Sequence, residues 1–310
     1  MHHPVVPTPK VVNIFEDGKP IDIATPFDLA RIQAQYIPLF QGKQFTSKVL
    51  PGVNQICYVI TGEGSVTKDN KSAPLRVDDC FSFAAAKDVE RTYTVDAKES
   101  DMGLLVISDT PHVMPVVLTK EPPAFPKIIN APSVSVWRGT AIDTTKSAKL
   151  TKETDIADLP SIPWHLNIER IPPGTQSSNA HAHSAEDEFA LILSGEARYW
   201  FQGATPEKIL KSGDVVGWKA GTGIAHTLLN DAQNEQGDGE DLVFLCWGED
   251  RPDEDKVFYA AASPSWWKPE VRWMERPVHG QGHAPPFPVF PRPDGKPFPE
   301  EPKAGAQGSW

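Results

Sequence analysis

Residues 180–195 read AHAHSAEDEFALILSG and hold His181, His183 and Glu188. Successive side chains of an extended strand alternate faces, so His181 and His183, two apart, project their imidazoles from one face. Glu188 follows after a turn, at the head of an apolar run, and a hairpin there brings its carboxylate back beside the two rings. His226, in GTGIAHTLLN, is the fourth candidate. Three imidazoles and one carboxylate form a mixed nitrogen and oxygen set that suits a borderline divalent ion, namely Fe, Mn, Ni, Co, Cu or Zn. Such ions often take five or six ligands, so positions stay open for water, oxygen or substrate. An HxH pair alone arises by chance; the four donors together carry the metal reading. Asn230 reads as a structural hydrogen-bonder, and Glu186 and Asp187 as solvated turn carboxylates.

These donors need strands to position them. Long helical periodicity is nearly absent, and short apolar runs such as QICYVITG, CFSFAA, WHLNIERI, ARYWFQG, DVVGWKAG and LVFLCWG recur between Gly, Pro, Asn and Asp. That spacing predicts an all-β sandwich or barrel, with one short helix expected in PFDLARIQAQYIPLF. The pattern also repeats. QICYVITGEGSV (55–66) matches EFALILSGEARY (188–199), and RVDDCFSFAAAKDVERTYTVD (76–96) matches KSGDVVGWKAGTGIAHTLLND (211–231), so the chain reads as two copies of one β unit joined near EPPAFPKIINAPS. The expected organisation is a first unit over 1–125, a second over 126–260, and a Trp- and Pro-rich tail over 261–310 packing on the barrels. His279 and His283 of that tail read as solvated.

The motif residues resemble the cupin superfamily. Gly174, His181, His183, Glu188 and Gly195 follow its first motif, and Gly213, Gly221, His226 and Asn230 its second. The gap from Gly174 to His181 is one residue longer than usual, Lys219 stands where Pro is usual, and two residues are inserted before His226. The resemblance implies two tandem cupin barrels, double-stranded β-helices of the jelly-roll type, with one divalent metal per chain held by His181, His183, Glu188 and His226 in the second.

In the first unit the repeat places Lys48 and Leu50 at the positions of His181 and His183, Gln55 at that of Glu188, and Arg91 at that of His226. None is a good ligand, so that unit is expected to be metal-free. Arg91 and Lys48 read as solvated charges in preference to an anion pocket.

A site of this composition can bind an enolate or hydroxyl in bidentate fashion, with Glu188 as ligand or as catalytic general base. The favoured expectation is an Fe(II) dioxygenase acting on a small aromatic or enolisable molecule, with His165, Tyr199, Trp218 and Phe244 as substrate contacts. An isomerase, lyase or hydrolase using Zn, Mn or Ni, and a cupin that only binds a ligand, are the alternatives. An oxalate-type decarboxylase is disfavoured, because those bicupins resemble each other in carrying metal in both halves. The net charge of −11, without any basic run, argues against nucleic acid or anionic lipid as partner. No apolar h-region and no stretch of about 18 apolar residues appears, so neither export nor membrane spanning is expected. Cys57, Cys80 and Cys246, unpaired in sequence, read as buried thiols of a cytoplasmic protein, monomeric or homodimeric.

Overall fold

A computed structural model describes residues 9–29, 31–83, 85–86, 89–109, 125–133, 138–139, 146–149, 164–178, 180–202, 208–232, 239–251 and 253–259. The tail beyond 259, with His279 and His283, lies outside them. The described residues are all-β apart from two short 3-10 turns, and none of their helices is long and apolar enough to cross a membrane. They form two compact units: Val12–Val136 with Lys149–Leu166, and Met1–Val11 with Trp137–Ala148 and Asn167–Trp310.

The first unit contains β1 (Ile32–Leu39), β2 (Gln44–Val49), β3 (Gln55–Thr61), β4 (Gly64–Lys68), β5 (Lys71–Leu75), β6 (Asp79–Phe83), β7 (Arg91–Asp96) and β8 (Met102–Asp109). One sheet runs β6-β3-β8-β1 and the other β2-β7-β4-β5. Ile128–Asn130, within the stretch read as the join, pairs antiparallel with β6. The helix expected in PFDLARIQAQYIPLF is replaced by β1, and only Thr25–Phe27 makes a 3-10 turn. The residues explain why: Ile32, Ala34 and Tyr36 are buried while Gln33 and Gln35 are exposed, which is the period of a strand.

β9 (Trp164–Ile171) starts in the first unit and passes at Asn167 into the second, which also contains β10 (His181–His183), β11 (Glu188–Ser194), β12 (Ala197–Phe201), β13 (Lys208–Leu210), β14 (Asp214–Trp218), β15 (His226–Asn230), β16 (Leu242–Glu249) and β17 (Val257–Tyr259). Its sheets run β14-β11-β16-β9 and β13-β12-β15-β10-β17. The strand order is that of the first unit, and each is a jelly roll.

The repeat extends to the turns. β3 and β11 share one burial pattern. Each is followed by a glycine at φ +77°, Gly62 and Gly195. Asp79 accepts from the Arg76 N–H at 2.9 Å, as Asp214 accepts from the Lys211 N–H at 2.9 Å. Asp78 and Gly213 both turn with positive φ and donate to β3 and β11 through Val59 O and Ile192 O, each at 2.9 Å. A Cβ at Gly62 would lie 1.9 Å from the carbonyl oxygen of Asp101. Backbone on backbone cannot relax cheaply, so Gly62→Ala is expected to destabilise by on the order of 2–4 kcal/mol, measured by denaturant unfolding.

The interior of the first unit is an apolar cluster that includes Val49, Cys57, Val66, Phe81, Phe83, Tyr93, Val95 and Leu104. The three cysteines are free thiols; Cys57 and Cys80 are buried and Cys246 is half-buried. Register corrects one sequence equivalence. Val49 faces Arg91 across β2 and β7 as His181 faces His226 across β10 and β15. Val49, rather than Lys48, is therefore the counterpart of His181, because the turn into β3 is one residue shorter than the turn into β11. Lys48 is exposed and paired with Glu90 at 3.2 Å.

Candidate metal centre

Strand starts position the four donors of the second unit. His181 and His183 lie on β10, Glu188 opens β11, and His226 opens β15. Antiparallel pairing sets His181 opposite His226. The Glu188 carboxylate lies among all three rings. His226 Nε2 is 3.3 Å from Oε2, His183 Nε2 is 3.6 Å from Oε1, and His181 Nε2 is 3.9 Å from Oε2. Donors about 2.0–2.1 Å from a common ion stand roughly 3–3.5 Å apart, and the three nitrogen-to-carboxylate distances lie in or near that range. His181, His183 and Glu188 form a potential cation-holding group on distance alone.

The electrostatics follow from burial. Desolvation favours a neutral Glu188, but His183, His226 and His181 together hold its carboxyl well below the usual range. Desolvation likewise opposes the His183 cation, yet Glu188, then the Asp255 hydrogen bond and charge, raise its pKa to about 9. His226 is pushed down, chiefly by burial.

Each ring is held from behind. Asp255 Oδ2 lies 2.6 Å from His183 Nδ1, leaving Nε2 for the centre. The Asp255 carboxylate is fixed in turn by the Ala185 N–H at 2.8 Å and the Ser184 hydroxyl at 3.2 Å. Ser178 Oγ is 3.2 Å from His181 Nδ1. The indole of Trp218 stacks on the His226 ring at 3.9 Å and 8°. This is the carboxylate–histidine arrangement that fixes the tautomer of a metal-binding imidazole. Sequence reasoning missed Asp255, which lies 72 residues from His183. Only the pairing of β17 with β10 brings the two together.

Glu186 and Asp187 are not the solvated turn carboxylates that spacing suggests. Asp187 is buried and accepts from the Ala220 N–H at 2.8 Å. Its own N–H donates to Glu249 at 2.9 Å. Glu186 stands 3.4 Å from His183 Nδ1, and desolvation raises its carboxyl to about 7. The turn folds against β16 and the loop before β15, which removes both side chains from water. Asn230 is a structural hydrogen-bonder. Its amide donates to Ile171 O and Glu240 O, each at 2.8 Å, and its oxygen accepts from the Ala232 N–H at 3.0 Å.

The residues expected as substrate contacts lie elsewhere in the unit. Tyr199, Trp218 and Phe244 belong to its buried apolar cluster, and the Trp218 N–H donates to the Tyr199 hydroxyl at 2.8 Å. Trp218 therefore reaches the centre through His226. His165 is half-buried near the start of β9, four residues before Glu169. Glu169 shares strand parity with Ile171 of the interior cluster. Its carboxyl makes no hydrogen bond or ion pair with any described residue. Burial, then the negative charge of Glu188, raise it to about 8.

Residues 167–246 match the cupin domain family model. No curated protein matches the sequence. Among solved structures, the protein Ylba from E. coli is similar at 15% identity and a TM-score of 0.55, covering 79% of this chain and 93% of that one. The S161A mutant of the Bacillus subtilis oxalate decarboxylase OxdC is similar at 14% identity and a TM-score of 0.54, covering 82% of this chain and 80% of that one. AerE from Microcystis aeruginosa is similar at 12% identity and a TM-score of 0.51, covering 79% and 98%. At these identities the likeness is one of fold.

Proposed function

We propose that the chain is a metal-dependent cupin enzyme whose single centre is held by His181, His183, Glu188 and His226, and that it acts as an Fe(II) oxygenase on a small aromatic or enolisable molecule. The observation that carries this reading is the convergence of three imidazole nitrogens on one carboxylate, 3.3–3.9 Å away, among largely buried side chains of a jelly roll. A ferrous ion there would supply one-electron chemistry with dioxygen, whereas zinc, manganese or nickel would supply Lewis acidity alone.

The chain's own groups supply orientation and proton handling. Asp255 and Trp218 fix the rings of His183 and His226. The surroundings are acidic: Glu169, Glu186 and Asp255 stand near the four donors, and no Lys or Arg side chain pairs with any of these three among the described residues. That favours a neutral or enolisable substrate over a phosphate ester. Glu169, half-buried and raised to about 8, is mostly protonated at neutral pH and suits donating a proton to a bound oxygen. The same feature favours a second reading, a non-oxidative isomerase, lyase or hydrolase that uses the proton transfer without oxygen.

Metal analysis of protein purified without a chelating column, followed by an oxygen-electrode screen of phenols and diketones, separates the readings. About one equivalent of iron with substrate-dependent oxygen uptake is expected. Zinc, nickel or manganese with turnover but no oxygen uptake would replace the oxygenase by the second reading. Failure to take up any divalent ion, even after soaking, would remove the enzymatic reading.

A further inference from the structure

The first unit holds a buried cation to which no described residue gives a counter-charge. Arg91 opens β7 at the position that His226 occupies on β15. The residue is 9% exposed. Its Nε and Nη2 are out of contact with water and make no hydrogen bond. No carboxylate pairs with it among the described residues, and its contact is the ring of Phe83, 5.8 Å from Cζ to the centroid. Desolvation alone lowers its pKa. A buried charge is ordinarily compensated by a partner of opposite sign.

The neighbouring polar groups are already satisfied and neutral. The Tyr93 hydroxyl, two residues along β7, donates to Gln55 Oε1 at 2.6 Å. Ser47 donates to the same oxygen at 3.3 Å, and Gln55 Nε2 donates to Ser108 at 2.9 Å. Gln55 holds the position of Glu188, so the carboxylate present in the second unit is replaced here by an amide. Lys48 points away to solvent.

The two unpartnered nitrogens are the pair on one edge of the guanidinium, whose parallel N–H bonds take a carboxylate side-on. We propose that Arg91 anchors a small-carboxylate binding site in the first unit, with the ligand's two oxygens accepting from Nε and Nη2. The ligand supplies the charge that the described residues do not. A monoanion balances the single charge of Arg91, whereas a more highly charged oxyanion such as phosphate would bring uncompensated charge into the same buried position. The site is independent of the metal reading of the second unit.

The test is isothermal titration of the full chain, stripped of metal by chelator in low-chloride buffer, with formate, acetate and inorganic phosphate as probes. Arg91→Met, Arg91→Lys and His181→Ala are titrated alongside. Saturable binding of formate or acetate is expected in the natural sequence and in His181→Ala. It should be absent in Arg91→Met and about tenfold or more weaker in Arg91→Lys, which keeps the charge and loses the fork. The melting temperature of ligand-free Arg91→Met should not fall, because the substitution removes an uncompensated cation. If Arg91→Met does not fold, Arg91→Lys carries the comparison. Absence of carboxylate binding, binding that survives Arg91→Met or is lost in His181→Ala, equal affinity for phosphate, or a lowered melting temperature in folded Arg91→Met would each overturn the proposal.

Discussion

His226→Ala is expected to abolish stoichiometric metal retention: after gel filtration, the variant should carry much less than one equivalent where the natural sequence should carry one. Two effects combine. The variant loses one of four donors, and Glu188 loses the imidazole that stands 3.3 Å from its carboxylate. Removing a group that merely orients a ligand costs about 10–100-fold in metal affinity, so loss of a ligand itself is expected to exceed about 100-fold. Trp218 then faces a void where the stacked ring stood. The measurement is competition against a chromophoric chelator, with far-UV circular dichroism as the check on folding. Affinity within threefold of the natural sequence would remove His226 from the centre.

Asp255→Ala weakens metal binding by about 10–100-fold while leaving all four donors in place. The carboxylate accepts from His183 Nδ1, the Ala185 N–H and the Ser184 hydroxyl, and so ties β17 to the turn after β10. Without it, His183 no longer has a fixed tautomer, and its Nε2 must compete between metal and proton. Two readouts distinguish positioning from general loosening. The visible spectrum of the cobalt-substituted protein should change, and the ring-nitrogen NMR signals of His183 in metal-free protein should titrate at lower pH, because the Asp255 hydrogen bond and charge help hold its pKa at about 9. A lowered melting temperature with unchanged spectrum and affinity would reduce Asp255 to a structural tie.

The all-β class was legible because it depends on local pattern, as was the grouping of His181, His183, Glu188 and His226 in one place. Alternation marks strands, and the HxH–Glu spacing is that of a turn from β10 into β11, which belong to different sheets and do not pair as the hairpin the sequence suggests. The duplication was legible too, down to the aspartates at 79 and 214, whose carboxylates cap equivalent turns. What escaped depends on contacts between distant segments. Asp255 has no spacing relation to His183 that a motif could express. Glu186 and Asp187 look like solvent-facing turn residues until β16 and the loop before β15 close over them. Lys48 was misassigned by one position because a loop length, rather than a strand, set the offset, and one residue of slip exchanges the two faces of a strand. The helix expected near Pro26 failed because the alternation of Gln33 and Gln35 with Ile32, Ala34 and Tyr36 outweighed the weak helical pattern.

The matched turns carry a consequence for how such a chain can change. In both units the architecture is written in backbone turns and their capping aspartates, whereas the chemistry sits at the first residues of a few strands. In one copy Val49, which closes β2, and Gln55 and Arg91, which open β3 and β7, occupy the positions that His181, Glu188 and His226 hold in the other. Scaffold and contents are therefore separately heritable. A duplicated barrel can hold His226 and Glu188 at two positions of one copy, and Arg91 and Gln55 at the same positions of the other, without renegotiating its folding instructions.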